Sequence, residues 1–137
     1  MRRSEARETL RAIEELIERL NQKADLVIVE GRHDEATLRS LGLEVDVMKI
    51  ACFKGSLALF VDEISEKFRG RRVSLLLDFD EAGERLTKRL LQELSGRELQ
   101  VDIATRERLR ELLCYFGFRT IESIMALKRR AYPRRGR

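Results

Sequence analysis

Three carboxylates stand where apolar runs stop. Residues 26–31 read LVIVEG and residues 73–84 read VSLLLDFDEAGE, so Glu30 closes one run and Asp78 and Asp80 close the other. An all-apolar run of this length fits a strand covered on both faces, as in a parallel α/β sheet. Acids at the ends of such strands lie on the carboxyl edge of the sheet, where open α/β folds bind ligands. Gathered there they repel one another unless a cation sits between them. Mg2+, held by a few carboxylates with water and substrate phosphates, is the ion that fits. Asp78 and Asp80 are two apart, so a continued strand would put them on one face and turn Phe79 back into apolar packing. Gly83 leaves room for close backbone approach. Glu84 falls in the first turn of the next helix, where it could be a further ligand, a support for one, or an acid favoured by the dipole. Two helix-capping acids would explain the Asp pair alone equally well. Glu30 at the end of a second buried strand favours metal chemistry.

The elements that must position these residues follow from periodicity. Leu10, Ile13, Leu16, Ile17 and Leu20 give an N-terminal helix over about 5–22, with Ser4 as its N-cap. Strand one spans Leu26 to Glu30, and a helix runs from about Asp34 to Leu41, closed by Gly42. Strand two spans about Val45 to Ile50. Lys54-Gly55-Ser56 forms a turn, with Ser56 capping a helix whose apolar face is Leu57, Phe60, Val61, Ile64 and Phe68. Strand three spans Val73 to Leu77, and Leu86, Leu90, Leu91 and Leu94 mark the helix after it. Strand four spans Leu99 to Ile103. Thr105 caps a helix bearing Leu109, Leu112, Leu113 and Phe116, and Thr120 caps the last one. Strands alternating with helices give a parallel sheet through right-handed crossovers. For Glu30 to share a metal with the Asp pair, strands one and three must be neighbours, which gives the order 2-1-3-4.

This pair of motifs resembles the Toprim domain, the catalytic module of bacterial primases, topoisomerases, overcoming-lysogenization-defect nucleases and the nuclease that matures bacterial 5S ribosomal RNA. That family has a strand ending in Glu-Gly with an Asp soon after, here Glu30-Gly31-Arg32-His33-Asp34. It also has a strand ending in D-x-D-x-x-G, often followed by Glu, here Asp78-Phe79-Asp80-Glu81-Ala82-Gly83-Glu84. The resemblance covers about residues 24–104 and is strongest to the small stand-alone Toprim proteins of archaea and bacteria. It implies a three-layer α/β/α fold around a four-stranded parallel sheet, with added N- and C-terminal helices. It makes Glu30 a general acid/base or metal-linked acid, and Asp78 and Asp80 Mg2+ ligands, with Mn2+ as a substitute. Glu84 aligns with an acid of the type IA topoisomerases. Asp34 becomes a cap or a support behind the ligands. The only tyrosines are Tyr115 and Tyr132, late in the chain, and the length leaves no room for a topoisomerase's nucleophile domain or a primase's zinc and template domains.

Basic groups could hold phosphate. Lys54 and Ser56 sit at a helix start suited to an anion, although an ordinary turn explains them as well. Arg32 and Arg85 flank the acidic motifs, among 22 arginines in all. His33, the single histidine, has no partner spacing for zinc and reads as a solvent-facing or supporting residue. Residues 128–137 (KRRAYPRRGR) hold six basic groups and no acid, and without them the net charge of +4 becomes −2. Lys128, Arg129, Arg130, Arg134 and Arg135 therefore form a basic tail of the kind that meets nucleic acid.

The chain of 137 residues suits one domain, 1–137, with a core at about 24–104, C-terminal helices at about 105–131 and the tail beyond. Charged residues make up 38%, and one Asn and three Gln hint at a thermophilic source. Cys52 and Cys114 are isolated, near apolar residues, and read as buried free thiols in a reducing compartment. No signal peptide or membrane-length apolar run appears, so a cytoplasmic location is expected. Three functions compete: a Mg2+-dependent nuclease, on RNA before DNA by resemblance to the ribosomal RNA maturase; a non-catalytic nucleic-acid-binding or adaptor module with a protein partner supplying recognition; and a small-molecule phosphotransferase, which the basic tail disfavours.

Overall fold

The structure, a computed structural model, describes residues 2–134. Four strands form one sheet: β1 (Leu26–Val29), β2 (Asp46–Lys49), β3 (Arg72–Leu75) and β4 (Gln100–Asp102). Its order is β2-β1-β3-β4 and every neighbouring pair is parallel. The central strand β1 pairs with β2 on one side and β3 on the other, with Leu26 opposite both Asp46 and Val73. β1 is fully buried because both its faces are covered. Leu26 and Ile28 pack with α3 (Leu57–Lys67) and α4 (Glu81–Leu94). Val27 and Val29 pack on the other face with α1 (Arg3–Lys23), α2 (Arg32–Ser40), α5 (Ala104–Cys114) and α6 (Ile124–Ala131). This is the expected three-layer α/β/α arrangement. The change of helix side between α2 and α3 leaves a switch point between β1 and β3, at the carboxyl edge.

Several helix starts differ from expectation. α1 begins at Arg3 with Arg2 at the N-cap and no side-chain cap, so Ser4 lies inside the helix. α2 begins at Arg32, because Asp34 reaches back from the first turn to accept the Gly31 N–H at 3.0 Å. At α5 the capping acid is Asp102, whose Oδ1 accepts the Ala104 N–H at 2.8 Å and the Thr105 N–H at 3.4 Å. Thr105 itself donates to Asp102 Oδ2 at 2.8 Å. Thr120 accepts from Ser123 at 3.2 Å, closing the turn before α6 rather than capping the helix directly.

Two further expectations fail. Cys52 and Cys114 are exposed. Cys52 ends a short 3-10 turn (Ile50–Cys52) that has no buried residue, and Cys114 follows Leu113 around α5 onto its outer side. The basic tail is not all tail either. Lys128, Arg129 and Arg130 belong to α6, whose Leu127 and Ala131 are fully buried. Arg7 donates its Nε–H to the Ala131 carbonyl at 2.9 Å, tying α6 to α1. No described helix is long and apolar enough to cross a membrane.

Candidate metal centre

Glu30 follows β1 directly and Asp78 follows the last buried residue of the β3 segment, Leu77, so adjacent strands deliver both to one edge. Pairing continues past the end of β3, since the Leu76 N–H donates to the Ile28 carbonyl at 2.9 Å. The Asp78 N–H then donates to Glu30 Oε1 at 3.2 Å. Asp78 Oδ1 accepts the Ile121 N–H at 2.8 Å, from the turn before α6. Asp80 is the N-cap of α4 and accepts the Gly83 N–H at 2.8 Å. Gly83 is obligatory for this turn: a Cβ there would lie 2.1 Å from the Asp78 carbonyl oxygen, a backbone atom that cannot yield. Phe79 is buried between these acids, as its spacing implied.

The electrostatics record the crowding. Burial raises the Glu30 carboxyl above its usual range, the Asp78 N–H bond opposes this, and Asp34 and Asp80 add to the rise. Burial raises Asp78 to about 6, with Asp34, Glu30 and Asp80 adding repulsion and the Ile121 bond pulling the other way. Asp34 is raised too, chiefly by burial, with Glu122 contributing. Each of Glu30, Asp78 and Asp80 spends one oxygen on a backbone N–H and has a second one left. Among the described residues no three His, Cys, Asp or Glu side chains are gathered as a cage. The chemistry of the donors fits Mg2+ nonetheless: carboxylate oxygens are hard donors, and they suit an ion that takes one or two carboxylates and fills its octahedron with water and phosphate.

Glu84 is placed differently. Its Oε1 meets Arg106 Nη2 at 3.0 Å and Arg110 Nε at 3.6 Å. Arg106 is the residue that sequence reasoning missed. It is 2% exposed, donates Nε–H to the Leu77 carbonyl at 2.9 Å and Nη2–H to the Asp78 carbonyl at 2.5 Å, and lies over the Phe79 ring at 5.3 Å. The signal was present: Arg106 shares a helical face with the buried Leu109 and Leu113, so a cation stands in an apolar stripe. Asp102 was also missed; it holds the buried Ser74 hydroxyl and the start of α5.

The basic candidates divide. The loop bearing Lys54 and Ser56 starts at this same edge, where the Ala51 N–H donates to the Glu30 carbonyl at 2.8 Å. Ser56 accepts the Leu59 N–H at 3.2 Å, an ordinary helix cap, and Lys54 is exposed. Arg32 and His33 are exposed on the first turn of α2. Arg85 pairs with Glu81 along α4 at 2.8 Å. Arg129 lines a cavity of about 440 Å3 with Thr120, Glu122, Ser123, Met125 and Ala126, next to the Ile121 amide that holds Asp78. Lys128 points to the Ser40 carbonyl at 3.4 Å, and Arg130 lies over Phe118 at 5.3 Å. Arg134 is exposed, and Arg135 lies outside the described residues.

No family model matches the chain. Curated relatives do. A UPF0292 protein of Thermococcus sibiricus is 34% identical over 106 residues, 77% of this chain and 79% of that protein. One of Pyrococcus furiosus is 38% identical over 103 residues, 74% of this chain and 73% of that one. One of Methanocaldococcus jannaschii is 37% identical over 129 residues, 92% and 94% of the two. Among solved structures, a protein from Aquifex aeolicus shares the fold with a TM-score of 0.59, at 24% identity over 85% of this chain and 94% of that one. A small TOPRIM domain protein from Bacillus stearothermophilus gives a TM-score of 0.46 at 27% identity, over 75% and 97% of the two chains.

Proposed function

The chain belongs to the UPF0292 family, and we propose that it is a Toprim-type, Mg2+-dependent phosphodiesterase acting on nucleic acid, RNA in preference to DNA. One observation carries the reading: Glu30 and Asp78, delivered by adjacent parallel strands, are joined by a 3.2 Å hydrogen bond, with Asp80 in the same turn. Glu30, Asp78 and Asp80 would hold the ion. Mg2+ bound there would neutralise charge on the phosphate and its leaving oxygen. Glu30, raised by burial, is suited to take a proton from an attacking water near neutral pH. The Ile121 amide fixes the Asp78 carboxylate, and the Gly83 amide fixes that of Asp80. Lys54 and Arg32, both exposed, and Arg129 would meet the phosphate backbone. RNA is preferred on the strength of the motif resemblance to the ribosomal RNA maturase.

A second reading, a binding or adaptor module without catalysis, draws on the absence of a carboxylate cage among the described residues. Single-turnover cleavage of a panel of structured RNAs and duplex DNA in Mg2+ separates the two. Glu30→Gln should lower cleavage by about 10²–10⁴-fold, the usual worth of a general acid or base, with RNA binding retained. Purified wild type that binds RNA and cuts nothing in Mg2+ or Mn2+ would hand the protein to the adaptor reading.

A further inference from the structure

We propose that the amino-terminal end of α1 and the outer side of α6 form one binding surface for a single strand of RNA leading to the acidic edge. Arg3 and Arg11 meet its phosphates, and Tyr132 stacks on a base. The inference rests on the nucleic-acid reading above and names where the strand lies. Arg3, Arg7 and Arg11 recur every four residues, so they form one row along α1. Such a row repels itself. Arg2 and Arg3 also stand at the positive end of the helix dipole, where no side chain caps α1. Elsewhere on the surface the exposed Arg85, Arg108 and Arg110 each pair with a glutamate. Among the described residues Arg3 and Arg11 form no ion pair, although Glu8 and Glu15 lie one turn from Arg11. A row that costs the helix stability and stays unneutralised suits an external polyanion.

The row joins α6. Arg7 donates to the Ala131 carbonyl at 2.9 Å and lies over the Tyr132 ring at 5.0 Å. Tyr132 is 59% exposed, and a ring that stands in water beside cations is a platform for a base. From there α6 leads to the acidic edge. Its eight residues rise about 12 Å, and it starts just after the Ile121 amide that holds Asp78, beside the cavity that Arg129 lines. α1 matches this placement. It enters β1 through Ala24 and packs on the sheet face of Val27 and Val29. Its 21 residues rise about 31 Å against about 13 Å for the four of β1, so its arginine end overhangs the carboxyl edge. Residues 2–11 and 128–134 carry eight basic groups against two acids, Glu5 and Glu8. An exposed ring beside the row favours a single strand, whose bases are free to stack, over a duplex.

The test is binding of a short fluorescein-labelled oligouridylate, read by anisotropy in chelator over a range of salt. Arg3→Gln and Arg11→Gln should each flatten the plot of log affinity against log salt by about 0.7. Urea denaturation should find both as stable as wild type or slightly more so, because the row repels itself. Tyr132→Leu should weaken binding roughly 5- to 150-fold, the worth of one stacked base, with the slope unchanged. Lys67→Gln also removes one cation, but from α3 across the sheet, where Lys67 pairs with Glu63 at 3.2 Å; it should change neither slope nor affinity. Slopes in the two arginine variants that match Lys67→Gln, or Tyr132→Leu binding as tightly as wild type, would overturn the proposal and leave cleavage at the acidic edge standing. Wild type that binds through this surface and cuts nothing in Mg2+ would uphold it and favour the adaptor reading. No RNA binding by wild type at all would overturn both.

Discussion

Burial, with repulsion from Asp34, Glu30 and Asp80, holds the Asp78 carboxyl at about 6 against an ordinary 3.8. The sign of the consequence is fixed. The native state binds this proton more tightly than the unfolded chain does, so the stability it lends is complete below the unfolded value and is lost as pH rises through about 6. Glu30 and Asp34 are raised in the same direction. In chelator, urea denaturation of wild type should therefore show stability falling between acid and neutral pH relative to Asp78→Asn, which has no carboxyl to ionise. Parallel stability curves for the two proteins would show that Asp78 does not carry this strain. Under the proposed function, a cation bound beside Asp78 would offset both the burial of its charge and the repulsion from Asp34, Glu30 and Asp80.

At the level of elements, α6 is where charge and packing must be told apart. Ala131 is buried and its carbonyl holds Arg7, so a chain ended at Leu127 should lose stability along with its cations. A chain ended at Tyr132 keeps α6 and loses Arg134, Arg135 and Arg137. On duplex nucleic acid it should flatten the plot of log affinity against log salt by about 0.9 for each arginine engaged. Salt-titrated binding and urea denaturation of both truncations check this; a slope unmoved by removal of residues 133–137 would place the phosphate contacts on the globular surface instead.

This is also the scale at which the sequence spoke most clearly. All four strands and their order could be read from the apolar runs of β1 and β3 and the need to bring Glu30 beside Asp78. Buried parallel strands write themselves as uninterrupted hydrophobic sequence. Helix starts were less legible, because Asp34 and Asp102 reach backbone amides from positions that propensity does not single out. Arg106 was hidden for a related reason: its partners are main-chain carbonyls of Leu77 and Asp78, 29 and 28 residues away, which leave no trace in residue type.

Across the whole molecule, the fold gathers residues from three distant segments at one edge: Glu30 with Asp34, the Asp78–Asp80 turn and the Ile121 amide. Backbone amides hold the three acids in place: the Asp78 N–H on Glu30, the Ile121 N–H on Asp78 and the Gly83 N–H on Asp80. An edge this acidic repels a polyanion. Under the proposed function, divalent charge at the edge and the exposed Arg32 and Lys54 would offset that repulsion. If Glu30, Asp78 and Asp80 form one ion site, as proposed, Mg2+ must stabilise the folded chain through them. Urea denaturation at neutral pH should show wild type gaining about 2.7 kcal/mol at one hundred times its Mg2+ dissociation constant. Asp78→Asn and Asp80→Asn, at the same Mg2+ concentration, should gain almost nothing while being as stable as wild type, or more so, in chelator. Equal Mg2+ gains in all three proteins would show that these carboxylates do not hold the ion.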